Sequence, residues 1–193
     1  MASGAARVLV RVRDAVVEDL PRIQEIYAHH VRYGLASFEE TPPNLEEMGR
    51  RYEATLAQGL PYLAARVAGP EAKDAVAGYA YAGRYRPRPA YRYTVENSLY
   101  VAPGCEGRGI GRALLEELIR RCTDLGYRQM VAVIGDSGHL ASIRLHEAFG
   151  FVRAGELRSV GFKSGRWVDT VIMQLALGDG DARPPNPARD ERG

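Results

Sequence analysis

The sequence predicts one α/β domain of mixed strand and helix order, and three observations carry that expectation. Runs rich in β-branched and aromatic residues alternate with amphipathic helical patterns along the chain. A glycine-rich turn, Val101-Ala-Pro-Gly-Cys-Glu-Gly-Arg-Gly-Ile-Gly111, joins a strand pattern to a helix pattern. The 193 residues, 46% of them apolar, suffice for one sizeable core.

The elements follow in order. Arg7–Arg13 alternates weakly and predicts a strand. A helix is expected from Glu18 to about Val31, with Leu20, Ile23, Ile26 and Tyr27 on one face. Ser37–Pro43 is a proline-interrupted loop, and Asn44 is placed to cap a helix reaching about Gln58. Tyr62–Val67 and Ala75–Tyr85 predict strands joined by a turn at Gly69-Pro70, and Tyr91–Val101 predicts another. The helix from Gly109 to about Leu125 directs Ile110, Leu114, Leu118, Ile119 and Cys122 inward, with Glu116–Arg120 and Glu117–Arg121 pairs outside. Gly126 ends it. Met130–Ile134 is a central strand, Ala141–Phe149 a helix closed by Gly150, and Phe151–Val160 with Trp167–Leu177 an antiparallel pair turned at Lys163-Ser-Gly165. Residues 1–6 are expected to be a disordered N-terminus, 7–177 the domain, and 178–193 a disordered, solvated C-terminal tail with almost no apolar side chains.

Composition excludes several classes of function. A net charge of +2, with basic residues spread along the chain, argues against a nucleic-acid or anionic-membrane partner. No apolar run is long enough to span a bilayer, and no signal-peptide core follows Arg7. Cys105 and Cys122 have no metal-ligand spacing, so no metal is expected and a reducing cytoplasm is the default.

The glycine turn aims backbone N–H groups and the positive end of a helix dipole at one point, which suits a pyrophosphate. A Walker A loop requires Gly-Lys-Ser/Thr, and here Gly109 is followed by Ile110, Gly111 and Arg112. A G-x-G-x-x-G fingerprint starting at Gly107 or Gly109 ends on Arg112 or Leu114 and fails. A coenzyme A pyrophosphate and a helix cap with no ligand both stay open on these residues alone.

Gly107-Arg-Gly109-Ile-Gly111 resembles the acetyl-CoA loop of the GNAT N-acetyltransferase superfamily, Gln/Arg-x-x-Gly-x-Gly/Ala. Ser142-Ile-Arg-Leu-His-Glu-Ala-Phe-Gly150-Phe151 resembles its following helix, with His139, Ser142 and His146 at the positions of the family's Asn, Ala and Tyr. The stretch Tyr81–Val101, together with Val133–Gly135 and Gly161–Asp169, is similar to the phosphinothricin acetyltransferase branch, whose relatives act on methionine sulfone and sulfoximine.

The resemblance implies a mixed, largely antiparallel sheet, splayed between the strand ending at Val101 and that at Met130–Ile134, and flanked by helices. It implies acetyl-CoA in the splay, held by Gly107, Arg108, Gly109, Ile110 and Gly111, with Leu99 near the thioester and Val101 beside the pantetheine. His139 and Ser142 would flank that arm, although a surface histidine fits His139 equally well. Glu106 departs from the family's Gln or Arg, so only the backbone and Arg108 inherit the pyrophosphate role.

Glu96 shares a strand face with Thr94 and Ser98. It is the candidate general base, as the family's matching Glu is, although a carboxylate capping a sheet edge fits the same position. His146 would protonate the leaving thiolate where the family uses Tyr; a core histidine is the plainer reading. Arg86 and Arg88, on a loop stiffened by Pro87 and Pro89, suit a carboxylate or oxyanion, or form a solvated basic loop. Phe38 and Glu39 match the family's substrate loop. The expected activity is direct acetyl transfer to the amino group of a small amino-acid-like molecule, in a homodimer. The alternatives are another amine (polyamine, aminoglycoside or protein N-terminus) and a non-catalytic acyl-CoA sensor.

Overall fold

The computed structural model describes residues 9–68 and 75–185. The expected disordered N-terminus, the Gly69-Pro70 turn and residues 186–193 of the tail lie outside them. Strand β1 (Leu9–Asp14) leads through a 3-10 turn into helix α1 (Leu20–Tyr33). Pro21 falls in the first turn of α1, where a missing N–H costs nothing. Helix α2 (Leu45–Ala57) is capped as its sequence predicts, with Asn44 Oδ1 accepting the Glu47 N–H at 2.8 Å. Strands β2 (Tyr62–Ala68), β3 (Val76–Arg84) and β4 (Thr94–Val101) follow. Then come α3 (Ile110–Asp124), β5 (Gln129–Gly135), α4 (Leu140–Glu147), β6 (Val152–Lys163) and β7 (Arg166–Ala176).

The seven strands form one sheet in the order β1-β2-β3-β4-β5-β7-β6. Neighbours are antiparallel except β4 and β5, which run parallel. A parallel pair needs a crossover, and α3 supplies it. The β4–β5 register begins at Thr94↔Gln129 and stops at Asn97↔Ala132, although β4 continues to Val101 and β5 to Gly135. This is the expected splay. Helices α1 and α2 pack their apolar stripes with Tyr62, Ala64 and Tyr79 on one face. Helix α3, with Ile143 of α4, packs with Leu63, Val95 and Met130 on the other.

Several boundaries differ from expectation. β4 begins at Thr94 rather than Tyr91, because Pro89 opens a 3-10 turn over Pro89–Tyr91 and takes Tyr91 and Tyr93 out of the strand. On α3, Leu115 is fully buried and Ile119 only partly so. Arg120 pairs with Glu117 (2.7 Å) and Asp124 (2.6 Å), not with Glu116. Residues 178–185, expected to be solvated, fold back on Arg128, which donates to the carbonyls of Arg183 (3.0 Å) and Pro184 (3.2 Å). The hairpin turn is as expected: Ser164 and Gly165 both take left-handed φ, 52° and 75°.

A buried charge ties the first strands together. The fully buried Asp19 carboxylate accepts from Arg13 (2.6 and 2.8 Å), Arg66 (2.9 Å) and the Val16 N–H (3.0 Å). Burial by itself would raise the carboxyl. The donors from Arg13, Val16 and Arg66 outweigh it and hold the pKa at about 2. The pair's contribution is therefore complete above the usual carboxylate range and is lost as pH falls through that low value. Asp19→Asn should cost about 2 kcal/mol at neutral pH. Urea melts from pH 6 to 2 should show a shallower acid loss in the variant; parallel curves would refute the assignment.

Candidate active site

The parting of β4 and β5 exposes backbone. The Ala102 N–H donates to the Ala77 carbonyl on β3 at 2.8 Å. Strand alternation therefore aims the N–H and C=O of Leu99 and Val101 the other way, into the gap. One of these groups is already met. His30 Nε2, from α1, lies 2.8 Å from the Val101 carbonyl and must carry the hydrogen, because a carbonyl only accepts. Burial pushes the His30 pKa down against the pull of that carbonyl.

Val101 runs directly into the glycine turn. Gly107 and Gly109 take φ of 73° and 79°, with open space where a Cβ would stand, so they are needed for conformation. Gly111 is needed for contact: its Cβ would lie 3.2 Å from Leu145 of α4. The Ile110 side chain is buried against Gly78, leaving only its backbone for a ligand. Arg108 and Glu106 are both exposed, so solvent screens the misplaced carboxylate. A turn of free N–H groups at the head of α3, continuous with a strand edge that lacks a partner, fits the pyrophosphate and amide-bearing arm of coenzyme A.

On the α1 face, Glu96 lies in register between Gly83 and Val131. It is half-buried; burial raises its carboxyl, and the Arg86 guanidinium partly opposes this. Ser98, two residues on, is hydrogen-bonded to Tyr81, which stacks on Tyr62. Glu39 is engaged by neighbours: its Oε1 accepts from the Tyr27 hydroxyl (2.9 Å) and from Arg51 (2.7 Å). Phe38 lies against Gly135 and Gly161, beside Ser37, whose carbonyl accepts from buried Lys163 Nζ at 2.5 Å. Arg86 covers the Tyr85 ring, whereas Arg88 stands exposed at the start of the 3-10 turn.

On the α4 face, His146 is buried, with the Phe151 ring edge-on at 4.9 Å. Its Nδ1 lies 2.8 Å from the Ser142 carbonyl and its Nε2 3.1 Å from Asn97 Oδ1. Burial pushes the imidazole pKa down, the Ser142 carbonyl raises it, and His139 adds to the lowering. His139 is exposed at the start of α4. Leu99, His139, Ser142 and His146 line one cavity between the parted strands, as do Asn97 and Ser98.

Two residues of this site were not singled out from the sequence, His30 and Asn97. Both are polar residues at inward positions, His30 on the stripe of Ile23, Ile26 and Tyr27, and Asn97 between Val95 and Leu99. That intrusion of polarity into an apolar pattern is the signal that could have found them. Among the described residues, no group of three or more His, Cys, Asp or Glu could hold a metal, and no helix is long and apolar enough to cross a membrane.

Comparison with known proteins matches residues 23–151 to the acetyltransferase (GNAT) family. A phosphinothricin N-acetyltransferase of Alcaligenes faecalis is 54% identical over 93% of this chain and 89% of its own. An L-methionine sulfoximine/L-methionine sulfone acetyltransferase of Pseudomonas paraeruginosa is 43% identical over 86% of this chain and 94% of its own. The crystal structure of a GNAT superfamily phosphinothricin acetyltransferase from Sinorhizobium meliloti, in complex with AcCoA, superposes with a TM-score of 0.87 at 49% identity. It covers 92% of this chain and 93% of that one.

The seat of Phe38 makes two glycines unequal. A Cβ on Gly161 would meet the Phe38 ring at 2.3 Å, and one on Gly135 would meet the Leu35 carbonyl oxygen at 2.3 Å. A ring can rotate away and a backbone carbonyl cannot. Gly161→Ala should cost about 1 kcal/mol and Gly135→Ala about 3 kcal/mol, the range of overpacking penalties. Thermal melts of the two variants check this, and equal losses would contradict the packing.

Proposed function

Since this chain belongs to the acetyltransferase (GNAT) family, we propose that it acetylates the amino group of a small amino-acid-like acceptor of the phosphinothricin, methionine sulfone or methionine sulfoximine type. The observation that carries the reading is the half-buried Glu96 with Arg86 as its electrostatic neighbour, on the strand that borders the gap. Acetyl-CoA, when bound, supplies an activated acetyl group as a thioester.

The protein's residues do the rest. The N–H groups of Gly107–Gly111 and the exposed Arg108 hold the pyrophosphate, and the free edge at Leu99 and Val101 holds the arm. An acceptor ammonium cannot attack until it loses a proton, and Glu96 takes it, directly or through one water. A raised carboxyl pKa makes Glu96 a stronger base than an exposed glutamate. A Leu99 N–H aimed into the gap is the donor for the charge that develops on the acetyl oxygen. His146 delivers the proton that the leaving sulfur needs. Arg86 favours an acceptor that carries a carboxylate or an oxyanion, and Arg88 extends the same basic loop. Phe38 walls the acceptor side, and Glu39 holds that wall through Tyr27 and Arg51. His139 and Ser142 flank the arm where it passes α4.

The same reading makes the chain a cytoplasmic homodimer, able to inactivate a phosphinothricin herbicide. The β6–β7 hairpin supports self-association, because Val160, Phe162 and Trp167 are all more than half exposed. Light scattering should give about twice the chain mass, and Trp167→Glu should lower it towards a monomer; a monomer before substitution would refute the dimer.

A thiol-release assay with phosphinothricin, methionine sulfone, methionine sulfoximine, spermidine and a peptide N-terminus tests the acceptor class. Turnover confined to the first three is expected, and turnover with spermidine or peptide alone would overturn the acceptor pocket. Glu96→Gln should lower kcat by about 10²–10⁴-fold. The cation at Arg86 holds the Glu96 carboxyl down, so Arg86→Gln should move the acidic limb of kcat/KM to higher pH. A limb that stays in place would remove Glu96 as its source.

A further inference from the structure

We infer that Asn97 is a positioning residue that keeps a second proton on the ring of His146, which lines the gap where sulfur departs. The inference rests on the acetyl-transfer reading above and goes on to ask what holds the proton that His146 must give.

Four groups form a buried line: the Ser142 carbonyl, the His146 imidazole, the Asn97 amide and the Val131 carbonyl. The distances along it are 2.8, 3.1 and 3.3 Å. Both ends are carbonyls and can only accept. Three gaps therefore need three hydrogens. The Asn97 Nδ2 group donates to Val131, which leaves Oδ1 facing His146 Nε2.

A neutral ring cannot complete this line. With its hydrogen on Nδ1, the Nε2 lone pair confronts Oδ1. With its hydrogen on Nε2, the Nδ1 lone pair confronts the Ser142 carbonyl. Turning the amide over satisfies Nε2 but sets Oδ1 against the Val131 carbonyl. Each neutral arrangement leaves one acceptor facing another, and only the imidazolium fills all three gaps. His146 is 3% exposed and Asn97 7%, so water has little access to repair the mismatch. An unmet buried acceptor costs on the scale of a lost hydrogen bond, and the protonated ring is favoured to that extent.

The surroundings oppose the charge. Burial pushes the ring towards neutrality, and the His139 imidazole adds to that push. Phe151 packs its edge from the start of β6. Glu96 neighbours Asn97 in sequence but lies on the opposite strand face. The proton is thus held by the line and loosened by burial, which suits a group that must release it.

The step balances. As the C–S bond breaks, its electron pair stays on sulfur, and His146 Nε2 gives its proton to that sulfur. The ring is left neutral with Nδ1–H on Ser142, and it regains a proton from water. The acceptor ammonium loses two protons in becoming an amide, His146 returns one through sulfur, and one is released overall.

The test is an imidazole ¹⁵N NMR titration of the full-length protein without ligands, for the natural sequence, Asn97→Leu and Asn97→Asp. The His146 midpoint should move to lower pH in Asn97→Leu, which removes the acceptor. It should move up by about 1–3 units in Asn97→Asp, which supplies a charge. The alkaline limb of kcat should follow in the same directions, with the KM for acetyl-CoA nearly unchanged. Equal midpoints in all three proteins would overturn the inference and leave Asn97 a packing residue, even with acetyl transfer intact. Absence of turnover with every acceptor would overturn the functional reading instead, and the midpoints would still decide the role of Asn97.

Discussion

Everything distinctive in this protein depends on a parallel pairing that ends after Asn97↔Ala132. A strand that loses its neighbour leaves N–H and C=O groups unmet, each costing about 1–3 kcal/mol if buried. β4 loses β5 while still inside the domain. The fold tolerates this because other elements stand where a strand would have been. His30 reaches across from α1 to the Val101 carbonyl. The glycine turn then ends the strand and converts it into α3. The backbone groups of Leu99 and the Val101 N–H face the gap, and on the proposed reading a ligand with amide groups of its own would meet them.

Strand alternation then separates the chemistry. Glu96 and Asn97 are neighbours in sequence and therefore point to opposite faces. Glu96 joins the face of Ser98, Tyr81 and the Phe38 loop, where an acceptor amine can approach. Asn97 joins the face of α4 and reaches His146. A single β4 pleat thus puts Glu96 on one side of the gap and the Asn97–His146 pair on the other, the separation that the proposed mechanism requires. Neither requires a flexible loop to bring it into place.

How much of this was legible depended on the range of the signal. The Asn44 cap, the Ser164-Gly165 turn and the strand–turn–helix at Val101–Gly111 are encoded within a few residues, and the chain's pattern shows them. Glu96 was visible because strand alternation and its neighbours identify its face. The start of β4 was missed because Pro89 imposes a local 3-10 turn on a stretch with high strand propensity. Glu39 was legible only as a match to the family's substrate loop; its bond to Arg51, twelve residues on in α2, was not. His30–Val101 and Asn97–His146 join residues far apart in sequence. No local pattern reports such a bond, and only the intrusion of a polar residue into an apolar stripe hints at it.

Burial acts on Glu96 and His146 in opposite directions, and each has a partner that opposes it. On the proposed mechanism, acetyl transfer needs Glu96 ionised and His146 protonated together, so the working pH would lie above the first midpoint and below the second. Desolvation raises the carboxyl and lowers the imidazole. It therefore narrows that interval from both ends, because both active forms are charged and burial disfavours charge. Arg86 pulls the Glu96 carboxyl back down. The Ser142 carbonyl pulls His146 back up, and on the proposed arrangement Asn97 Oδ1 adds an acceptor at the other nitrogen. On the proposed mechanism these partners would keep open an interval of pH in which both groups are active. His30 needs no such partner. Its bond to Val101 requires only an N–H, which the neutral ring provides, so burial can discharge His30 without loosening the edge it caps.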